Sequence, residues 1–306
     1  MRVCIVGCGA VGSLFAANLG TLDDVEVWAY DLARDHVEAI NRDGLRLTGA
    51  GDVVGLVHAT SDATELPPCD FGIVATKAMH TEAAIAATAH AFADGAVATV
   101  QNGIGNEEVL AGRATRVIRG TTFPAGKLTA PGVVQWDVKG ETTFGPFEPK
   151  PAGADEIERL AEACTRGGMP THAVADARGP QWRKVIFNAA TNPLGALTGL
   201  THGAVCEQPA LRALASQLVD EGKAVAAAQG IVLDSDPEDL IDYAARPEVA
   251  YGHKASMLQD VEARRQTEVD YLNGGIVDFG RRYGVPTPGH ETIRALVKGV
   301  EASWKT

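Results

Sequence analysis

Three things are scarce or missing in this 306-residue chain, and each narrows what it can be. No run of about 20 apolar residues occurs, so no helical membrane span is expected. The cysteines, Cys4, Cys8, Cys69, Cys164 and Cys206, are odd in number and scattered, with no C-x-x-C pair and no Cys/His cluster of zinc spacing. Reduced thiols are expected, with neither a disulfide framework nor a metal centre. Positive charge is in deficit, 27 Lys and Arg against 39 Asp and Glu, for a formal net charge of −12. That argues against a nucleic-acid partner, which needs a basic surface to displace counterions. A small anionic substrate stays open, because one pocket can be positive on an acidic protein. The chain starts on strand-like residues 3–6 and not on a signal peptide, so the expected location is the cytoplasm.

What is present is ordinary globular composition, 45% hydrophobic and 22% charged, at a length that suits two domains. Short apolar runs (RVCIV, VEVWAY, FGIVAT, AVATV, RVIRGTTF, VVQWDV) alternate with helical stretches such as RDHVEAINRDG and the Ala-rich TEAAIAATAHAFA. Alternation of this kind predicts a parallel sheet with helices on both faces. Past Gly179 the β-branched runs give way to helical periodicity, as in PALRALASQLVDEGKAVAAAQG. The expected fold class is therefore α/β: a Rossmann dinucleotide-binding domain over residues 1–175, then an all-α domain over residues 176–306 for substrate and dimer contacts.

Gly7, Gly9 and Gly12 form G-x-G-x-x-G between the first strand and the first helix. The motif means little alone, but this position is where a dinucleotide site needs it. The first glycine allows the tight turn and the second lets the backbone approach a pyrophosphate. The third lets the helix pack close to the sheet, with its N-terminal N–H groups toward the phosphates. Asp31 stands nineteen residues beyond Gly12, at the end of the second strand, where an acidic residue meets the ribose hydroxyls of NAD. The candidate cofactor residues here are Gly7, Cys8, Gly9, Ala10, Val11 and Gly12 of the loop, with Asp31.

In WRKVIFNAATNPLGA, Lys184, Asn188 and Asn192 recur every four residues and share an ~80° stripe of one helix. Apolar flanks on both sides indicate a largely buried helix, in which a lysine and two carboxamides need partners. Pro193 is expected to end or kink it. The stretch HKASMLQDVEARRQTEVDYLNGG reads as one long amphipathic helix, with Ser256 and Glu268 about 120° apart around it.

The blocks GCGAVG, TKAMHT, QNGIGNEE, WRKVIFNAATNPLGAL and SMLQDVEARRQTEVDYLNGG, in this order, resemble the ketopantoate reductase family over essentially the whole chain. The last two blocks discriminate; the glycine loop is common to many dehydrogenases. The resemblance implies an active site in a cleft between a Rossmann and a helical domain. It implies Lys184 as the catalytic lysine, Asn102 at the cofactor–substrate junction, and Lys77 and Gly126 on the cofactor side. Asn188, Asn192 and Ser256 would contact a small 2-keto acid, and Glu268 would orient the reactive groups.

Three departures from the family stand out. Ala255–Ser256 replaces a pair of serines, and His202 stands where some bacterial enzymes carry a further substrate-binding asparagine. His202 is thus either a substrate contact or an ordinary loop histidine. Asp31 replaces the arginine that usually meets the NADP phosphate, so the cofactor is NAD or NADP, with family habit favouring NADP and Asp31 favouring NAD. Three functions compete: ketopantoate reduction in pantothenate biosynthesis, reduction of another 2-keto acid on the same fold, and a non-catalytic dinucleotide sensor. The retained Lys184, Asn102 and Glu268 count against the sensor. A homodimer is possible through the C-terminal helices.

Overall fold

A computed structural model describes residues 1–304. It divides into two compact units: residues 1–101 with 106–177, and residues 102–105 with the rest of the chain.

The first unit runs β1 (Arg2–Val6), α1 (Ala10–Leu19), β2 (Glu26–Tyr30), α2 (Arg34–Asp43), β3 (Leu45–Gly49), β4 (Val53–Gly55), β5 (His58–Thr60), β6 (Phe71–Val74), α3 (Thr81–Thr88) and β7 (Ala96–Thr99). It continues through α4 (Asn106–Ala111), β8 (Val117–Thr122), β9 (Ala125–Ala130), β10 (Val133–Val138), β11 (Thr142–Pro146), α5 (Ala154–Arg166) and β12 (Thr171–Ala173). Eight strands form the main sheet in the order β12-β11-β8-β7-β6-β1-β2-β5, parallel throughout except where β11 runs against β8. Both faces of the sheet are covered. Along β1, Val3 and Ile5 enter one core with Leu14 and Phe15 of α1, while Cys4 and Val6 enter a second with Ile85 and Phe92. This is the period-two rule with two apolar sides, the reason RVCIV reads as a continuous apolar run.

The sheet is less purely alternating than the sequence suggests. Between β2 and β6 lie three strands of three to five residues, two of which join β9 and β10 in a second, four-stranded sheet ordered β4-β3-β10-β9. Strands this short, broken by Gly49, Gly51 and Gly55, leave little periodicity to read. The Ala-rich stretch is α-helical only to Thr88, and residues 89–92 tighten into a 3₁₀ turn.

The second unit is α6 (Arg178–Thr198), α7 (His202–Glu207), α8 (Pro209–Ala228), α9 (Pro237–Ala244), α10 (Ser256–Glu262), α11 (Asn273–Tyr283) and α12 (Pro288–Ser303), with no strand among the described residues. Three of these helices start with proline at the first position, where the missing N–H costs nothing. The long α6 packs against α7, α8, α9, α10 and α12. Its Trp182, Val185, Ile186, Ala189, Ala190 and Leu194 are buried in the core of this unit. Burying each large side chain contributes about 1.5–3 kcal/mol, so the helix is held by packing more than by propensity.

Of the two outcomes expected at Pro193, an end to the helix does not occur, since α6 runs on to Thr198. Nor is the segment around Ser256 and Glu268 one helix. It stops at Glu262, where Arg264 turns to φ +50°, its N–H donates to the carbonyl of Val261, and the N–H of Arg265 reaches back to the carbonyl of Asp260. This pair of bonds is a Schellman closure. An Arg265–Asp260 ion pair, with the Asp260 side chain buried, lies across the same turn. Glu268 therefore lies in the connection to α11, freed from the angular constraint of a helix.

Candidate active site

In the first unit the loop after β1 is tied down from several sides. Gly7 has φ +89°, donates its N–H to the carbonyl of Tyr30, and has no room for a Cβ, which would stand 2.5 Å from Thr76 Cγ2. Gly12 is equally constrained, because a Cβ there would strike the carbonyl oxygen of Gly7. Gly9 differs: a Cβ at this position would meet nothing within 4 Å. The protein's own packing does not require that glycine, and the space beside it is open. Gly9 also precedes the first turn of α1, whose start carries no side-chain cap. Open space against uncapped backbone N–H groups suits a phosphate, so the residues present fit a dinucleotide.

Asp31 is committed to this loop. Its Oδ2 accepts from the N–H of Cys8 at 2.7 Å and its Oδ1 from the N–H of Ala33 at 2.9 Å. The Cys8 thiol is fully buried and pushed up to about 12 by that burial, which makes it a packing residue and not a nucleophile. Ala10 and Val11 open α1, and Lys77 precedes the 3₁₀ turn at Ala78–His80 after β6. Gly126 lies in β9 of the smaller sheet, opposite Trp136, and a Cβ there would come 2.5 Å from the carbonyl of Gln135, so strand packing also calls for glycine at this position.

In the second unit, residues remote in sequence meet at Lys184. Its Nζ donates to Asn102 Oδ1 at 2.8 Å, and Asn188 Nδ2 approaches the same oxygen at 3.5 Å. Burial pulls the Lys184 ammonium down to about 8, opposed by the negative charge of Glu268, which is itself only 5% exposed. Asn192, one turn beyond Asn188 on the same helix, is also largely buried. Ser256 is half-buried at the first position of α10, beside Ala255, which packs near Gly195 of α6.

His202 is the first residue of α7. Its ring is buried against Phe187 at 5.5 Å between centroids, and Nε2 pairs with the carbonyl of Ile241 at 3.2 Å. Burial, first among the causes, lowers its pKa, so the ring is neutral at pH 7. No group of acidic, His and Cys side chains suited to a metal occurs among the described residues, and no helix is long and apolar enough to cross a membrane.

A glycine loop opening a helix on a parallel sheet, followed by a helical unit with a lysine of lowered pKa, defines a dinucleotide-dependent oxidoreductase acting on CH–OH groups. Comparison with known proteins makes this specific. The profile of "Ketopantoate reductase PanE/ApbA" matches residues 3–149, and that of its C-terminal part matches residues 176–301. The 2-dehydropantoate 2-reductase of Pyrococcus abyssi is 35% identical, covering 99% of this chain and 98% of that protein. A PanE/ApbA family ketopantoate reductase from Ralstonia eutropha JMP134 superimposes with a TM-score of 0.89 at 30% identity over the whole of both chains. D-mandelate dehydrogenase, solved with NADH and anilino(oxo)acetate, has a TM-score of 0.91 at 26% identity, again over the whole of both chains. The chain belongs to the ketopantoate reductase family.

Proposed function

We propose that this enzyme reduces 2-dehydropantoate to pantoate, a step of pantothenate biosynthesis, and that Lys184 is its proton donor. The observation that carries the reading is the lysine itself, held by Asn102 at 2.8 Å and lowered to about 8 by burial. The dinucleotide, when bound, supplies the hydride. As the ketone becomes an alkoxide, the Lys184 ammonium stabilises the developing charge and gives up its proton. Asn102 aims the ammonium. Glu268 keeps it mostly protonated at neutral pH, since its charge raises what burial lowers. Asn188, Asn192 and Ser256 offer donors to the keto acid's oxygens and fix its orientation. Phosphate contacts belong to the backbone of residues 7–12, and Lys77, just after β6, lies on the cofactor side.

The preferred cofactor is NADH. Asp31 is pinned by two backbone N–H groups, so it cannot swing aside from an incoming 2′-phosphate. At ~5 Å and an effective dielectric of ~20, each unit-charge pair there costs about 3 kcal/mol before screening. Arg34, exposed at the start of α2, is the nearest counter-charge in the sequence. Steady-state reduction of a 2-keto-acid panel with both dinucleotides tests the whole reading. Ketopantoate with NADH is expected to give the highest kcat/KM. Another keto acid ahead by tenfold would overturn the substrate, and NADPH ahead by tenfold would overturn the cofactor.

A further inference from the structure

Pro193 creates a defect in α6 that the rest of the unit must answer. Having no N–H, it leaves the carbonyl of Ala189, four residues back, without its helical donor, and it does so between Asn188 and Asn192. The missing bond comes from Asn273, the first residue of α11, whose Nδ2 donates to that carbonyl at 2.9 Å. The other hydrogen of the same amide points at His290 Nδ1 at 3.0 Å, and His290 Nε2 meets the carbonyl of Leu218 in α8 at 2.9 Å. One proton arrangement satisfies all three contacts: Nδ2 donates twice, Nδ1 accepts, and Nε2 carries the imidazole proton. The reversed amide would set its oxygen against the Ala189 carbonyl. Asn273 Oδ1 itself has no partner, and the side chain is fully buried, so this amide sits where its donors are needed and forgoes a bond of its own. His290, also fully buried, is fixed in turn, since the N–H groups of Gly289 and His290 donate to the Glu221 carboxylate of α8.

We propose that Asn273 is a positioning residue for the keto-acid site: its amide replaces the bond that Pro193 removes and so holds Asn188 and Asn192 in register. The inference rests on the functional reading above, which gives those asparagines their roles. Asn273 touches none of the reacting groups; it acts through the backbone of α6.

A double-mutant cycle tests this, because a defect made by proline can be repaired at the proline. Asn273→Ala should lower kcat for ketopantoate at least ~10-fold while the KM for dinucleotide stays within ~3-fold. Asn273→Asp, close in volume but lacking both N–H donors, should behave like the alanine variant. Adding Pro193→Ala restores a backbone N–H facing Ala189 and should return at least ~3-fold of the lost kcat. The same cycle in urea unfolding should show the same sign of coupling. Losses that simply multiply, or full kcat in Asn273→Ala, overturn the proposal. If Asn273→Ala does not fold, the double variant must fold for the proposal to stand. An inactive wild type would sink the functional reading and with it the role of Asn273 at the keto-acid site, whereas independent losses in the unfolding cycle of an active enzyme overturn the repair of Pro193 and leave the functional reading standing.

Discussion

In the sheet unit, the glycine loop and Asp31 all lie within the first 31 residues, and each touches a partner one strand or one turn away. In the helical unit, the groups around Lys184 come from positions 102, 188 and 268, and the bond that repairs α6 comes from position 273. The first arrangement is local and repeats wherever a strand turns into a phosphate-binding helix. The second is assembled by packing, and its chemistry depends on burial that no short stretch can supply. A glycine turn between strand and helix can therefore be read from a motif. A lysine of lowered pKa has to be found in a structure.

Perturbations that strike one unit and spare the other test this contrast. The largest effect is expected from Lys184→Ala, which should cut kcat by at least ~10²-fold with dinucleotide affinity nearly intact. Retained kcat would mean that the lysine is not the acid. Gly9→Val should weaken dinucleotide binding by at least ~10-fold in calorimetric titration while thermal stability barely moves, because only open space receives the new side chain. Gly12→Val should instead unfold the sheet unit, since its Cβ strikes the Gly7 carbonyl. Equal damage from both substitutions would contradict the distinct roles given to the two glycines.

A smaller effect is expected from pH. The donor works only as the ammonium, so kcat/KM for reduction should be level below pH about 8 and fall as pH rises through it. A profile flat to pH 10 would remove the lysine's titration from the mechanism. The smallest effect concerns stability in mild acid. His202 and His290 are buried neutral, with pKa values lowered below the ordinary 6.5, so the unfolded chain binds protons more readily. The stability they contribute is complete above pH 6.5 and is lost as pH falls below it, through their depressed values. Urea midpoints at pH 7.5 and 5.5 should differ in that direction, and an unchanged midpoint would contradict the neutral burial of both rings.

The order of strands and helices was legible because alternation and periodicity are properties of neighbours along the chain. The three short strands after Asp43 were not, since strands of three to five residues set among glycines carry too few side chains to show a period. Lys184, Asn188 and Asn192 stood out by spacing. The helix through Ser256 and Glu268 did not survive, because Arg264 takes a left-handed conformation that its residue type does not announce. His202 departs from the family pattern, and only the structure shows its ring against Phe187. Asn273 carries no signal of its own in the sequence; Pro193 inside a helix is the sign that a donor must lie near Ala189.

The sequence by itself determined the dinucleotide loop, because a turn that admits phosphate needs glycine at set intervals and the code for it is local. It also determined which helix face carries the lysine, through the 3.6-residue period. Tertiary structure alone decided that Asn102 is the acceptor for Lys184, that Glu268 is the charge opposing its desolvation, and that Asn273 closes the gap at Pro193. The reason is physical: a pKa and a buried hydrogen bond depend on what surrounds a group in space, and here those surroundings come from segments up to 86 residues apart.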